Sequence, residues 1–436
     1  MEQPELPRKL GLIDTTAILV GTVIGSAIFL VPNSVARSLP SAGWIVLVWS
    51  LTGVLSFFGA LAFAELGAMM PRTGGPYIYL REAYGPLAGF VTGWAYFLVI
   101  QTGSIATLAA GFSIYLAYFV PLTPATAKLA SVLLIFVLTA VNYRGVLLGA
   151  GVQRVFTFLK LAGLSVVIAS AFLAPRHAQG VVLSVPASFS WSRFGVAMIA
   201  CLWAYEGWNS VSFVAGEVKR PERNLVIAIV LGTALLIAVY LGANAAYMRV
   251  LTVPEIASTG RVAASTAEAT MGAIGGTLVS LTILLSIVGA SNGSILTSAR
   301  VYFAQARDGL FFRAIGDIHH RYETPGVSIL VQGIWASVLA VSGSYERLFS
   351  YVIFAAWIFY GLAVLGVVVL RYKTPQAPRP YRMWGYPVTP LAFTAVTLWF
   401  VINTIVTTPG PSLIGLAVVA SGIPVYYIWR RITSHT

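Results

Sequence analysis

Apolar stretches of about twenty residues recur along this chain from Ile13 to Trp429, about twelve of them, separated by short polar loops. A helix rises 1.5 Å per residue, so roughly 20 apolar residues carry it across the hydrocarbon layer of a bilayer. Lipid offers no hydrogen bonds to a bare backbone, which restricts such a chain to a bundle of membrane helices. Composition agrees: 58% of the 436 residues are hydrophobic and 9% charged, against about a quarter charged in soluble domains. The expected spans are 13–38, 42–70, 85–120, 125–143, 151–174, 191–216, 224–249, 275–304, 326–343, 346–372, 387–408 and 411–430. Two loops are longer, 72–84 and 251–272, and each has room for a short surface helix.

In a soluble protein the net charge of +13 would suggest nucleic acid; here the placement of the charges decides. Nineteen of the 27 basic residues fall on one side, among them Arg8, Lys9, Arg72, Arg81, Arg154, Arg223, Arg371 and Arg430. The other side has Arg37, Lys128, Arg176, Arg193, Arg249, Arg261 and Arg347. The positive-inside rule makes the richer side cytoplasmic, places both termini inside, and requires an even number of spans. The expectation is therefore a multi-pass protein of the cytoplasmic (inner) membrane, with the bilayer and not nucleic acid as its partner. The sole cysteine, Cys201, lies in an apolar stretch, so no internal disulfide is expected. Residues 1–10 are short, polar and proline-containing, so no cleavable signal peptide is expected before the first span.

Two spans differ from the rest. The first has Gly21, Gly25, Ser26 and Ala27 at its middle, and the sixth has Tyr205-Glu206-Gly207-Trp208-Asn209 at a similar depth. Five spans apart, with both termini on one side, they suggest an inverted repeat with discontinuous helices meeting at the midplane, a signature of secondary transporters. The whole chain then reads as one domain: N-terminus 1–12, first repeat 13–174, second repeat 191–372, and two further helices over 387–430.

An interrupted helix in lipid persists only where protein, water or a ligand satisfies its freed groups. In the first span the free carbonyls are expected near Val23 and Ile24 and the free amides near Ser26, Ala27 and Ile28; in the sixth, carbonyls near Trp203 and Ala204 and amides near Gly207 and Trp208. Helix N-termini favour anions and C-termini cations. A small zwitterion such as an α-amino acid fits that field. The plainer alternative is that Gly25-Ser26-Ala27 is a small-residue packing face.

These residues resemble the L-type amino acid transporter family of the amino acid, polyamine and organocation superfamily. The resemblance covers nearly the whole chain. It rests on Val23-Ile24-Gly25-Ser26-Ala27-Ile28-Phe29, on Trp203-Ala204-Tyr205-Glu206-Gly207-Trp208-Asn209 continuing to Gly216-Glu217-Val218-Lys219-Arg220-Pro221, and on Asn292-Gly293-Ser294 with Ser298 and Arg300. It implies an all-α integral membrane protein with a leucine-transporter-like fold, twelve transmembrane helices in a 5+5 inverted repeat plus two, and helices 1 and 6 unwound at mid-membrane. It also implies substrate between those two helices, scaffolded by the third, eighth and tenth, with Ser291 and Asn292 as support from the eighth. The substrate carboxylate would meet Ser26 and Ala27, and the ammonium the carbonyls of Val23 and Trp203. Trp203 would match the family's gating aromatic, although an aromatic at that depth also fits plain packing. Ala27 stands where many members have Gly, and Glu206 where eukaryotic members usually have Gly. Glu206 is open to three roles: pairing with the substrate amine, carrying a proton, or bonding the unwound backbone.

Lys160 begins about 13 Å into the fifth span at 1.5 Å per residue, deep for a charged side chain. The resemblance places it against the first half of helix 1, where sodium-coupled relatives of the fold bind sodium. A fixed ammonium there implies sodium-independent transport; proton exchange during the cycle and snorkelling to the headgroups are the alternatives. Glu65 and Glu217, near cytoplasmic helix ends, are expected to pair with loop arginines.

An enzyme would need catalytic or metal-binding groups at depth, yet His177, His319, His320 and His435 all fall in loops or the tail, and the sequence has no cysteine cluster. No enzymatic activity, cofactor or metal is expected. No Gly-Lys-Ser or Gly-Lys-Thr follows the glycine run at Gly74 and Gly75, which argues against an ATP-driven pump. A sensor or channel remains the rival class. Among transporters, sodium-independent exchange of small or medium neutral L-amino acids leads, and proton-coupled uptake of an amino acid or cationic amine through Glu206 or Lys160 follows. Eukaryotic members join a glycoprotein heavy chain through a loop cysteine, absent here, so a standalone, prokaryotic protein is expected.

Overall fold

The computed structural model describes residues 5–174, 190–343 and 345–433, with the side chains at 345–347, 349 and 433 not described. Arg176, His177, His435 and the Arg347 side chain therefore lie outside the description. The helices in chain order are α1 (Leu12–Val23), α2 (Ala27–Ser38), α3 (Ala42–Met69), α4 (Pro76–Tyr84), α5 (Pro86–Ala95), α6 (Gln101–Leu116), α7 (Pro124–Tyr143), α8 (Val146–Leu173) and α9 (Trp191–Ala204). They continue with α10 (Pro221–Val250), α11 (Val253–Ser258), α12 (Val262–Met271), α13 (Ala273–Arg307), α14 (Gly326–Ser342), α15 (Tyr345–Lys373), α16 (Val388–Thr407) and α17 (Pro409–Thr433). Among the described residues no strand forms, only a parallel bridge between Leu10 and Val218.

Local chemistry sets many of these boundaries. Proline opens α4, α5, α7 and α10, where its missing N–H costs no helical bond. Thr252 and Glu255 form a reciprocal cap on α11. The two longer loops hold α4 and the pair α11–α12.

Among the described residues, ten helical segments are long and apolar enough to cross a membrane, with α1–α2 and α5–α6 each counted as one. Two further apolar helices, α9 and α14, are shorter. In their most apolar stretches, α1–α2 is 89% buried and α7 only 22%. The interrupted helix is thus central and α7 peripheral, with Leu129, Leu133 and Val137 facing outward. Helix α1 packs on α8, α10 and α13, and α2 on α9 and α11.

The sixth stretch, expected over 191–216 with an interruption at 205–209, is interrupted there, but its second half is not α-helical. Its α-helix stops at Ala204, and after a turn the chain continues as a 3-10 helix, Ser210–Glu217. That segment ends at an ion pair whose partner also differs from expectation. Glu217 pairs with Arg300 in the body of α13, at 2.7 and 3.1 Å, and both side chains are fully buried. Arg300 is thus a core residue and not a loop residue. Glu65 accepts from Arg371 in the last turn of α15, at 2.9 and 2.6 Å, and lies 3.7 Å from Arg379 in the loop beyond.

Removing one partner of a buried pair strands the other charge, at a cost of about 3–5 kcal/mol, whereas replacing both by apolar groups is often neutral. Glu217→Gln is therefore expected to lower stability by about that amount in detergent-solubilised protein. Glu217→Leu combined with Arg300→Met should regain most of it, as read by thermal unfolding.

Candidate functional site

Helix α1 stops at Val23. The Gly25 N–H turns back to the Val23 carbonyl at 2.8 Å, and α2 starts only at Ala27, its first bonds running from Phe29 and Leu30 N–H to the Ser26 carbonyl. The amides of Ala27 and Ile28 have no carbonyl of their own helix to bond. The second interruption follows α9: Glu206 N–H bonds the Trp203 carbonyl at 3.1 Å, and Gly207 takes φ +108°, a conformation open to glycine. The two interruptions touch, since a Cβ on Gly207 would lie 3.2 Å from Thr22 and 3.4 Å from Val23.

Three side chains hold the first interruption in place. Lys160 Nζ, fully buried on α8, donates to the carbonyls of Gly21 (2.7 Å), Ile24 (2.6 Å) and Ser286 (2.9 Å). Three acceptors require three N–H donors, so the geometry is that of an ammonium. Ser286 Oγ on α13 donates to the Ile24 carbonyl at 2.9 Å and reaches that of Gly25 at 3.3 Å. Tyr240 on α10 donates to the Val23 carbonyl at 3.1 Å.

Between the interruptions lies a cavity of about 30 Å³, space for a couple of waters on the measure by which one needs roughly 10–15 Å³. Val23, Gly25, Ser26 and Ala27 line one wall, and Trp203, Glu206, Gly207 and Asn209 the other. Gln101, Ser104 and Leu108 from α6, Ser294 from α13, and Thr22 and Ser210 complete it. Tyr360 on α15 donates to Glu206 Oε1, while Glu206 Oε2 is buried without a hydrogen-bond partner, as are Asn209 Nδ2 and Ser210 Oγ. The Val23 carbonyl already accepts from Gly25 and Tyr240, which uses both its lone pairs. Glu206 Oε2 is an unpartnered carboxyl oxygen on a residue that lines the cavity.

The remaining expected residues sit behind that wall. Ile24 offers its carbonyl to Lys160 and Ser286, and Ile28 and Ala204 are buried in packing. Tyr205 turns away, its ring against Trp49 and Tyr240. Asn292 ties α13 to its neighbours through Asn142, Gly149 and Gln153, at 2.9, 3.0 and 2.9 Å, and Ser291 Oγ is buried without a partner; neither lines the cavity.

Sequence reasoning missed Ser286, Tyr240, Tyr360 and the α6 residues. Gln101 and Ser104, three apart in an apolar run, were a readable polar face. A π-helical segment, Tyr96–Ile100, directly precedes Gln101 and has no sequence signal of its own.

The chain is 34% identical to the human b(0,+)-type amino acid transporter 1, over 97% of its own length and 88% of that protein. It is 30% identical to the human cystine/glutamate transporter, over 98% and 86%. With the rat large neutral amino acids transporter small subunit 2 it shares 33% identity, over 97% and 81%. Residues 10–428 match the family described as amino acid permease. With a match across nearly its whole length, and membrane-crossing helices around two touching interruptions, the chain belongs to the amino acid permease family.

Proposed function

We propose that this protein is a secondary transporter that exchanges small or medium neutral L-amino acids by alternating access, without sodium. The observation that carries the reading is the cavity between the interruptions, with the α2 amides on one wall and the unpartnered Glu206 oxygen on the other. A carboxylate at the start of α2 meets backbone donors and the positive helix end. An ammonium on the opposite side meets Glu206 and the Trp203 carbonyl. Charge complementarity thus favours a zwitterion. The cavity's small volume means that its walls part to admit any amino acid, and Trp203 is the side chain assigned to that gating.

Lys160 takes the role of coupling residue as a fixed cation, supplying next to the Ile24 carbonyl the charge that an ion from solution would otherwise supply. The reading includes twelve spans, α9 with its 3-10 continuation and α14 among them, arranged as a 5+5 inverted repeat plus two. Both termini lie in the cytoplasm, on the side of the arginine-rich loops. The rat relative is named as a small subunit; here the sole cysteine, Cys201, is buried in α9, so a disulfide-linked heavy chain is not part of the reading.

A second reading, uptake of a cationic amine or of a proton with the amino acid, is favoured by the same unpartnered Glu206 oxygen. Reconstituted protein separates the two. Under the first reading, labelled amino acid enters only against internal amino acid, equally with or without sodium and unaffected by a pH gradient. Accumulation in empty vesicles driven by an inward proton gradient, and lost in Glu206→Gln, favours the second. Loss of a charged hydrogen bond costs about 1.5–3 kcal/mol. Under the first reading Glu206→Gln therefore raises KM for neutral amino acids by about 10- to 100-fold.

Lys160→Met removes the charged donor shared by three buried carbonyls, of which that of Ile24 still accepts from Ser286 Oγ; a buried group left unsatisfied costs about 1–3 kcal/mol. Exchange is expected to fall below detection with a lowered unfolding midpoint. Wild-type sodium-free flux in that variant would remove Lys160 from its proposed role.

A further inference from the structure

A second concavity lies on the outside of the bundle, where α1, α8 and α10 meet. Its volume is about 500 Å³, far more than the inner cavity offers. Its walls are apolar: Ile13 and Val20 from α1, Phe158 and Leu161 from α8, and Leu231 and Leu235 from α10. Ile13, Phe158 and Leu231 are 73%, 72% and 63% exposed, so the groove opens toward the lipid.

One end of it is basic. Arg154 lines the groove with its side chain half exposed, and Asp14 engages it at Nε, 3.3 Å away. A guanidinium has five N–H donors, so most remain available. On α10 the groove residues Ile227, Leu231 and Leu235 are four apart, and Arg223, exposed, continues that stripe one turn toward the helix start. Glu222, next to it, projects about 100° away around the helix. The Lys219 N–H bonds the Leu10 carbonyl at 2.8 Å, which brings the start of α10 to the start of α1, where Asp14 and Arg154 also lie.

We propose that this groove binds an anionic phospholipid, with an acyl chain between α1, α8 and α10 and the phosphate between Arg154 and Arg223. A neutral lipid would fill the apolar part and leave both arginines unanswered. One wall is α1 itself, whose other end lines the inner cavity and is the interruption held by Lys160, so groove occupancy acts on a helix of the exchange site, and the proposal includes that it sets the exchange rate. The inference does not depend on which amino acid is carried.

The test is native mass spectrometry of the full chain, purified and offered phosphatidylglycerol or phosphatidylcholine in turn, with exchange measured in vesicles of each lipid. Wild type is expected to retain phosphatidylglycerol preferentially and to exchange faster in vesicles containing it. Near the surface, each basic residue contributes roughly a fivefold preference for anionic lipid. Arg154→Gln with Arg223→Gln should therefore remove most of the preference and the stimulation, while activity in phosphatidylcholine persists. Leu231→Trp, which narrows the groove and leaves the charges in place, should reduce phosphatidylglycerol retention as well. Equal retention of both lipids by wild type, or a preference that survives the arginine replacements, overturns the proposal. So does a Leu231→Trp variant that holds phosphatidylglycerol as wild type does.

Discussion

The ammonium of Lys160 allows the rest of the core to be what it is. Where α1 stops, the carbonyls at its end lose their helical donors, and in a membrane interior each such loss costs several kcal/mol. One side chain answers two of them, at Gly21 and Ile24, and ties them to the Ser286 carbonyl of α13. Glycine makes the arrangement possible. A Cβ on Gly289 would lie 3.0 Å from Nζ, and one on Gly21 would lie 2.1 Å from Thr157 Oγ1. The lysine therefore runs through a corridor that larger residues would close, and α1, α8 and α13 are fixed against one another around it.

From that junction the rest of the bundle follows two different rules at its two ends. Where α1 begins, ion pairs join elements distant in sequence: Asp14 with Arg154, Glu217 with Arg300, Arg81 with Asp308, Lys9 with Glu323. Where α2 ends, side chains bond backbone carbonyls instead. Asn33 donates to those of Ile256, Ala257 and Thr259, at 2.9, 2.9 and 2.8 Å, and Arg37 to Ala257 at 2.9 Å. The inner cavity is correspondingly small, and movement in either direction has a distinct set of contacts to break.

Much of the helix placement was legible because lipid imposes a length and an apolarity that short polar loops punctuate. The run Gly25-Ser26-Ala27 and the depth of Lys160 could be picked out because both are unusual within a single span. The partners of those residues could not. Ser286, Tyr240 and Tyr360 are ordinary residues in apolar helices, and their contacts join positions more than a hundred residues apart. The partner of Glu217 was misjudged for the same reason: a loop arginine was expected, whereas Arg300, within the expected span 275–304, is buried in the body of α13. Likewise, the 3-10 segment Ser210–Glu217 runs into the bridge from Val218 to Leu10, a contact across the fold.

An experimental structure with L-alanine bound probes the zwitterion cradle most directly. The expected result has the ligand carboxylate about 2.7–3.2 Å from the amides at the start of α2, its ammonium facing Glu206, and Lys160 still bonded to the Ile24 carbonyl. Alanine seated away from both interruptions, or residues 24–26 wound into a continuous helix beside it, would contradict that arrangement.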